Sequence, residues 1–100
     1  MRPKKNKGRT HPQVLIRDCI KPILNLTEFD AGNLHARWVT EGRREVYRLT
    51  SYDTLIAQYT PSNDQESGVW VMRHYDVMTK TTRYHSNVIL RAIRQYLYQA

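Results

Sequence analysis

One hundred residues, 40% of them apolar and 25% charged, make a single soluble globular domain, too short for a second core and too apolar for a disordered chain. Sixteen Lys and Arg stand against nine Asp and Glu, a formal net charge of +7. The lone cysteine, Cys19, excludes an internal disulfide. No apolar run approaches membrane-spanning length, and no apolar segment follows the basic opening stretch as a secretory signal requires.

The charge is segregated along the chain. Residues 1–9 hold Arg2, Lys4, Lys5, Lys7 and Arg9 with no acid; residues 80–100 hold Lys80, Arg83, Arg91 and Arg94 with no acid; the stretch between is slightly acidic. Concentrated basic ends attract polyanions better than the same charge spread evenly, so nucleic acid is the first partner implied and an acidic protein surface the second. Solubility alone is the bland alternative. A single free cysteine fits a reducing cytoplasm and leaves an oxidising compartment open.

Residues 1–9 are expected to form a disordered basic tail ahead of one domain over residues 10–100. Thr10-His11-Pro12-Gln13 has the form of a helix start, with Thr10 as cap and Pro12 in the first turn. Leu15, Ile16, Cys19 and Ile20 would line its inner face and Pro22 would stop it near Ile20, although the Val14-Leu15-Ile16 run also suits a strand. In either case Cys19 reads as a small buried hydrophobe. The stretch 23–29 allows a short strand, and Asp30-Ala31-Gly32-Asn33 reads as a turn.

Ala36 to Thr40 and Glu45 to Ser51 form a predicted hairpin about Glu41-Gly42-Arg43-Arg44, with Glu41 and Glu45 as local partners for Arg43 and Arg44. In its second strand Tyr47 and Leu49 share a face and Arg48 points the other way. After a break at Tyr52-Asp53, Leu55, Ala57 and Tyr59 alternate with Ile56 and Gln58. The polar run Thr60 to Gly68 is a loop, and Val69 to Tyr75 a last strand with Trp70, Met72 and His74 on one face. Beyond Lys80, Thr81 and Thr82 offer capping oxygens, and Ile89, Ile93, Tyr96 and Leu97 recur at helical spacing. The fold expected is α+β: a small antiparallel sheet of three or four strands, a C-terminal amphipathic helix laid across it, and a short N-terminal helix.

Little in the chain points to catalysis. His11, His35, His74 and His85 fall in no metal-ligand pattern, there is no GxSxG elbow and no glycine-rich phosphate loop, so no metal or cofactor is expected and an enzyme is the least favoured class. His85, four residues before Ile89, lies on the helix's inner side, where a hydrogen bond closing the core edge is the simpler role than a base. The candidate contact residues for nucleic acid or a partner are Lys4, Lys5, Lys7, Arg9, Arg43, Arg44, Lys80, Arg83, Tyr84, Arg91, Arg94 and Tyr98. Their cations neutralise phosphates, and Tyr84 beside Arg83 and Tyr98 beside Arg94 set a ring against a charge. No RRM, KH or zinc-finger signature is present, and a helix-turn-helix would need a helix where a strand is read.

The order of several short motifs is familiar: Phe29-x-x-Gly32-Asn33, Val46-Tyr47 with Ser51-Tyr52-x-Thr54-x-Ile56-Ala57, Trp70, Tyr75-x-Val77-x-Thr79, and Thr81-Thr82-x-x-His85-x-Asn87. Together, over about residues 29–90, they resemble a family of small uncharacterised proteins of bacteriophages and other mobile elements. The resemblance implies a phage-type accessory protein working inside a bacterial host. Such a protein acts by stoichiometric binding to nucleic acid or a nucleoprotein, or else by inhibiting a host defence nuclease as anti-CRISPR proteins do. Turn and cap chemistry alone also explains these motifs.

Overall fold

The computed structural model describes residues 11–62, 68–73, 75 and 77–99, with side chains through Leu97. The expected basic tail, with Lys4, Lys5, Lys7 and Arg9, lies outside the described residues, as do Thr10 and His74. A single 3-10 turn, Ile16–Asp18, leads into a short helix α1, Ile20–Leu24. Five strands follow, β1 Phe29–Ala31, β2 Leu34–Glu41, β3 Arg44–Ser51, β4 Thr54–Pro61 and β5 Gly68–Met72, and then helix α2, Lys80–Gln99. The strands form one antiparallel sheet in chain order, a meander.

The α+β class agrees with the sequence reading; the sheet has five strands rather than three or four. The additional strand is β1, which pairs Phe29 with Ala36, Asp30 with His35 and Ala31 with Leu34 where a turn was expected. The turn itself needs only Gly32, at φ +62°, and Asn33. Asp30, ordinarily a poor strand residue, stays in the ladder because His35 and Arg37 hold its carboxylate. Thr60, Pro61 and Gly68, assigned to a loop, extend β4 and β5, and β5 ends at Met72 rather than Tyr75.

The N-terminal segment differs more. The Val14 N–H donates to the Asp30 carbonyl at 2.9 Å and the Asp30 N–H to Pro12 at 2.8 Å, so residues 12–14 run beside β1 in an extended path and Leu15 is 56% exposed. Pro22 does not end a helix; it occupies the first turn of α1, where its missing N–H costs no helical bond. The helix closes instead on Leu26, at φ +57°, with the Leu26 N–H on Ile23 and the Thr27 N–H on Pro22, a Schellman arrangement with Leu in the place glycine usually takes. The next two carbonyls then face the sheet. Leu26 accepts from Trp38 Nε1 at 2.8 Å and Thr27 from the Tyr47 hydroxyl at 2.6 Å. Burial pushes the Tyr47 phenol far above its ordinary pKa, so it remains a donor, and the buried Cys19 thiol is pushed up to about 11, a neutral core side chain as expected.

Both helices cover the same side of the sheet. Phe29, Ala31, Leu34, Ala36, Tyr47, Leu49, Ala57 and Tyr59 meet Cys19 and Ile23 from the α1 region and Val88, Ile89, Ala92 and Ile93 from α2 in one buried core. In β4 the alternation fails at a register shift opposite Leu49 and Thr50, which leaves Ile56 and its neighbour Ala57 both fully buried. At the end of the core nearer the α2 C-terminus, four directly opposed residues form an aromatic row across the sheet: Trp38, Tyr47, Tyr59 and Trp70. Tyr96 closes over it, 5.9 Å from the Tyr59 ring and 6.5 Å from Trp70.

Candidate nucleic-acid interface

Helix α2 is positioned from its two ends. Its first turn is capped by Thr79, whose Oγ1 accepts the Thr82 N–H at 3.2 Å, rather than by Thr81 or Thr82. Thr82 is turned inward instead. Ser51 Oγ, at the end of β3, lies 3.1 Å from Thr82 Oγ1 and 2.7 Å from His85 Nδ1, and all three residues are buried. This is the hydrogen-bonded closure of the core edge expected for His85, built with two hydroxyls that the sequence did not point out. Burial, and secondarily the charge of His35, hold the His85 pKa below its ordinary value, so the imidazole is neutral at neutral pH. With Ser51 fully inaccessible, the arrangement ties β3 to α2.

The inner face of α2 comprises Thr82, His85, Val88, Ile89, Ala92, Ile93 and Tyr96. Leu97, expected on that face, is 62% exposed; at 100° per residue it falls on the flank, and Val88 and Ala92 take its place in the core.

Lys80, Arg83, Tyr84, Asn87, Arg91 and Arg94 are all exposed. Their spacing places them within an arc of roughly 100°, opposite the buried face, along about 21 Å of helix between Lys80 and Arg94. The helix contains no acid, and none of these four cations forms an ion pair among the described residues. Two other arginines show the contrast. Arg37 bonds Asp30 at 2.7 Å and the carbonyls of Phe29 and Ala36; Arg48 bonds Gln58 at 2.8 Å and pairs with Glu41 at 3.4 Å. Both are committed to the fold.

The remaining candidates separate from this stripe. Arg43 and Arg44 are exposed at the β2–β3 turn, and the ion pair of Glu41 runs to Arg48, on the same face of the sheet, rather than to either of them. Tyr98 belongs to α2 by its backbone, with its side chain outside the described set. The sequence reading passed over Arg17 and Lys21; they are four residues apart near α1, and only the packing of α1 on α2 brings them to a groove shared with Gln95 of α2. Among the described residues, no group of three or more His, Cys, Asp or Glu is placed to hold a metal ion, and no helix is long and apolar enough to cross a membrane.

No protein-family model, curated protein or solved structure matches the chain. The functional argument therefore rests on the geometry, and on one feature above all. A helix that spends its inner face on the core and carries four like charges in a line on the other, with no ion-pair partner among the described residues, presents a linear cationic surface, with the exposed ring of Tyr84 among the charges. Phosphates in series are neutralised by such a line, and a ring beside a cation offers a stacking platform.

Proposed function

We propose that this is a small non-enzymatic binding protein of the phage or mobile-element kind, which engages nucleic acid or a nucleoprotein through the outer face of α2. The observation that carries the reading is the single-sign stripe Lys80, Arg83, Arg91 and Arg94, without an ion-pair partner among the described residues, on a helix without an acid. The basic residues 2–9 add attraction without register, since short basic segments neutralise phosphate wherever they meet it. Labelled duplex and single-stranded DNA and RNA, titrated at two salt concentrations with the intact chain and with a version starting at Thr10, test it. Salt-sensitive binding retained by the shorter version supports a folded interface; binding lost with the tail reduces it to non-specific attraction.

A second reading is favoured by the exposed Leu97 at the flank of the stripe, an apolar group that phosphates do not use and a protein surface does. Under it the same face docks on the acidic surface of a host protein, such as a defence nuclease. A stoichiometric complex with that nuclease that forms in the absence of nucleic acid decides for this reading.

A further inference from the structure

The outer stripe of α2 does not end at the helix flank. Gln95, one turn after Arg91 and adjacent in sequence to Arg94, lines an open groove of about 510 Å³ whose other walls are Arg17, Asp18, Ile20, Lys21 and Leu24. Arg17 and Lys21 are exposed and form no ion pair among the described residues, so the groove carries two free cations on its α1 side, while on its α2 side Gln95 lies one turn after Arg91. Ile20 and Leu24, half-buried, give it an apolar floor, and Gln95 supplies an amide with both donor and acceptor. Of the lining residues Asp18 alone is acidic.

Resting on the reading of α2 as a nucleic-acid face, we propose that the α1–α2 groove is the track of one nucleic-acid strand. Its phosphates meet Arg17 and Lys21 on the α1 side and Arg91, one turn before Gln95, on the α2 side, with sugar faces against Ile20 and Leu24. Charge complementarity selects the occupant: a strand supplies regularly spaced anions and apolar sugar edges together. A single strand rather than a duplex is the form proposed, because its unpaired sugars and bases are free to lie against Ile20 and Leu24, whereas a duplex keeps its bases stacked inside. Asp18 opposes the phosphates and weakens the interaction.

The test is titration of the full chain with a labelled oligothymidine strand over a range of salt concentrations, using Arg17→Gln/Lys21→Gln, Asp18→Asn, and Arg43→Gln/Arg44→Gln as a control of equal charge loss at the β2–β3 turn, whose arginines do not line the groove. A single strand contributes about 0.7 to the salt slope for each phosphate contact, so the Arg17/Lys21 variant is expected to lose about 1.4 from that slope, with weaker binding at low salt. Asp18→Asn tightens binding, and the control keeps the wild-type slope. If the Arg17/Lys21 variant and the control behave alike while Arg91→Glu/Arg94→Glu abolishes binding, the groove is not the track and the α2 face stands. Where Arg91→Glu/Arg94→Glu changes nothing, the α2 reading itself falls and the groove with it. Binding of a polyglutamate peptide in place of oligothymidine, lost in the Arg17/Lys21 variant, overturns the nucleic-acid occupant in favour of an acidic protein.

Discussion

Along the inner face of α2, Thr82 and His85 are hydrogen-bonded to Ser51, Val88, Ile89, Ala92 and Ile93 are buried in the core, and Tyr96 meets Tyr59; along the outer face, Lys80, Arg83, Arg91 and Arg94 have no ion-pair partner among the described residues. The two faces differ in what the fold asks of them. On the inner side every group answers a need of the core, apolar area removed from water or a buried polar atom satisfied. On the outer side like charges three residues apart, Lys80 with Arg83 and Arg91 with Arg94, repel one another and cost the helix a few tenths of a kcal/mol per pair. The helix tolerates this repulsion and places no acid to relieve it.

Substitutions on the inner face are expected to act on stability. Ile89 is fully buried in the centre of the helix–sheet contact, and Ile89→Ala should cost about 2–5 kcal/mol in denaturant unfolding. A loss below half a kcal/mol would show that the helix packs by another face. Gly68 is next. A Cβ there would come within 2.3 Å of the Tyr59 ring, which is itself wedged among Trp70 and Tyr96, so Gly68→Ala should destabilise by roughly 1–3 kcal/mol, measured the same way.

The polar end of the same face gives a smaller effect with a pH signature. His85→Ala leaves the buried Ser51 hydroxyl with one partner fewer, at a cost of about 1–3 kcal/mol at pH 8. The folded His85 pKa lies below its ordinary 6.5, so the folded chain binds fewer protons than the unfolded one as pH falls through that value. Its contribution is complete above about pH 6.5 and declines in more acid solution. Asp30 adds a second, more acidic stage. Burial raises its pKa, but the hydrogen bonds from His35 and Arg37 outweigh burial and hold it below 3.8; its contribution is complete above that value and is lost as pH falls through the folded pKa. Unfolding of His85→Ala followed from pH 8 to pH 3 should lack the first stage and keep the second.

Much of this architecture is visible in the residues. The hairpin of β2 and β3 follows from alternation about Gly42, and α2 from the spacing of Ile89, Ile93 and Tyr96. The sequence does not show β1, because Asp30 carries turn chemistry and only its long-range bonds to His35 and Arg37 keep it in a ladder. Nor does it show α1, where Pro22 reads as a stop until the helix is seen to begin two residues before it. The candidate site divides in the same way. The α2 stripe is a local property of one helix, and Lys80, Arg83, Arg91 and Arg94 can be placed by counting, whereas Arg17 and Lys21 reach the groove they share with Gln95 only through the packing of α1 on α2. The Ser51 to His85 bond spans 34 residues, and no periodicity announces it.

The smallest effect on the fold should accompany the largest effect on binding, and that pairing is the most direct test. The measurement is nucleic-acid affinity across a salt series for wild type and Arg91→Glu/Arg94→Glu, with the thermal unfolding midpoint of each recorded alongside. The account predicts a Tm within a few degrees of wild type, as for exposed substitutions, together with binding that is strongly weakened and far less salt-dependent. Unchanged affinity and salt slope in a folded variant would contradict it and remove α2 as the interface.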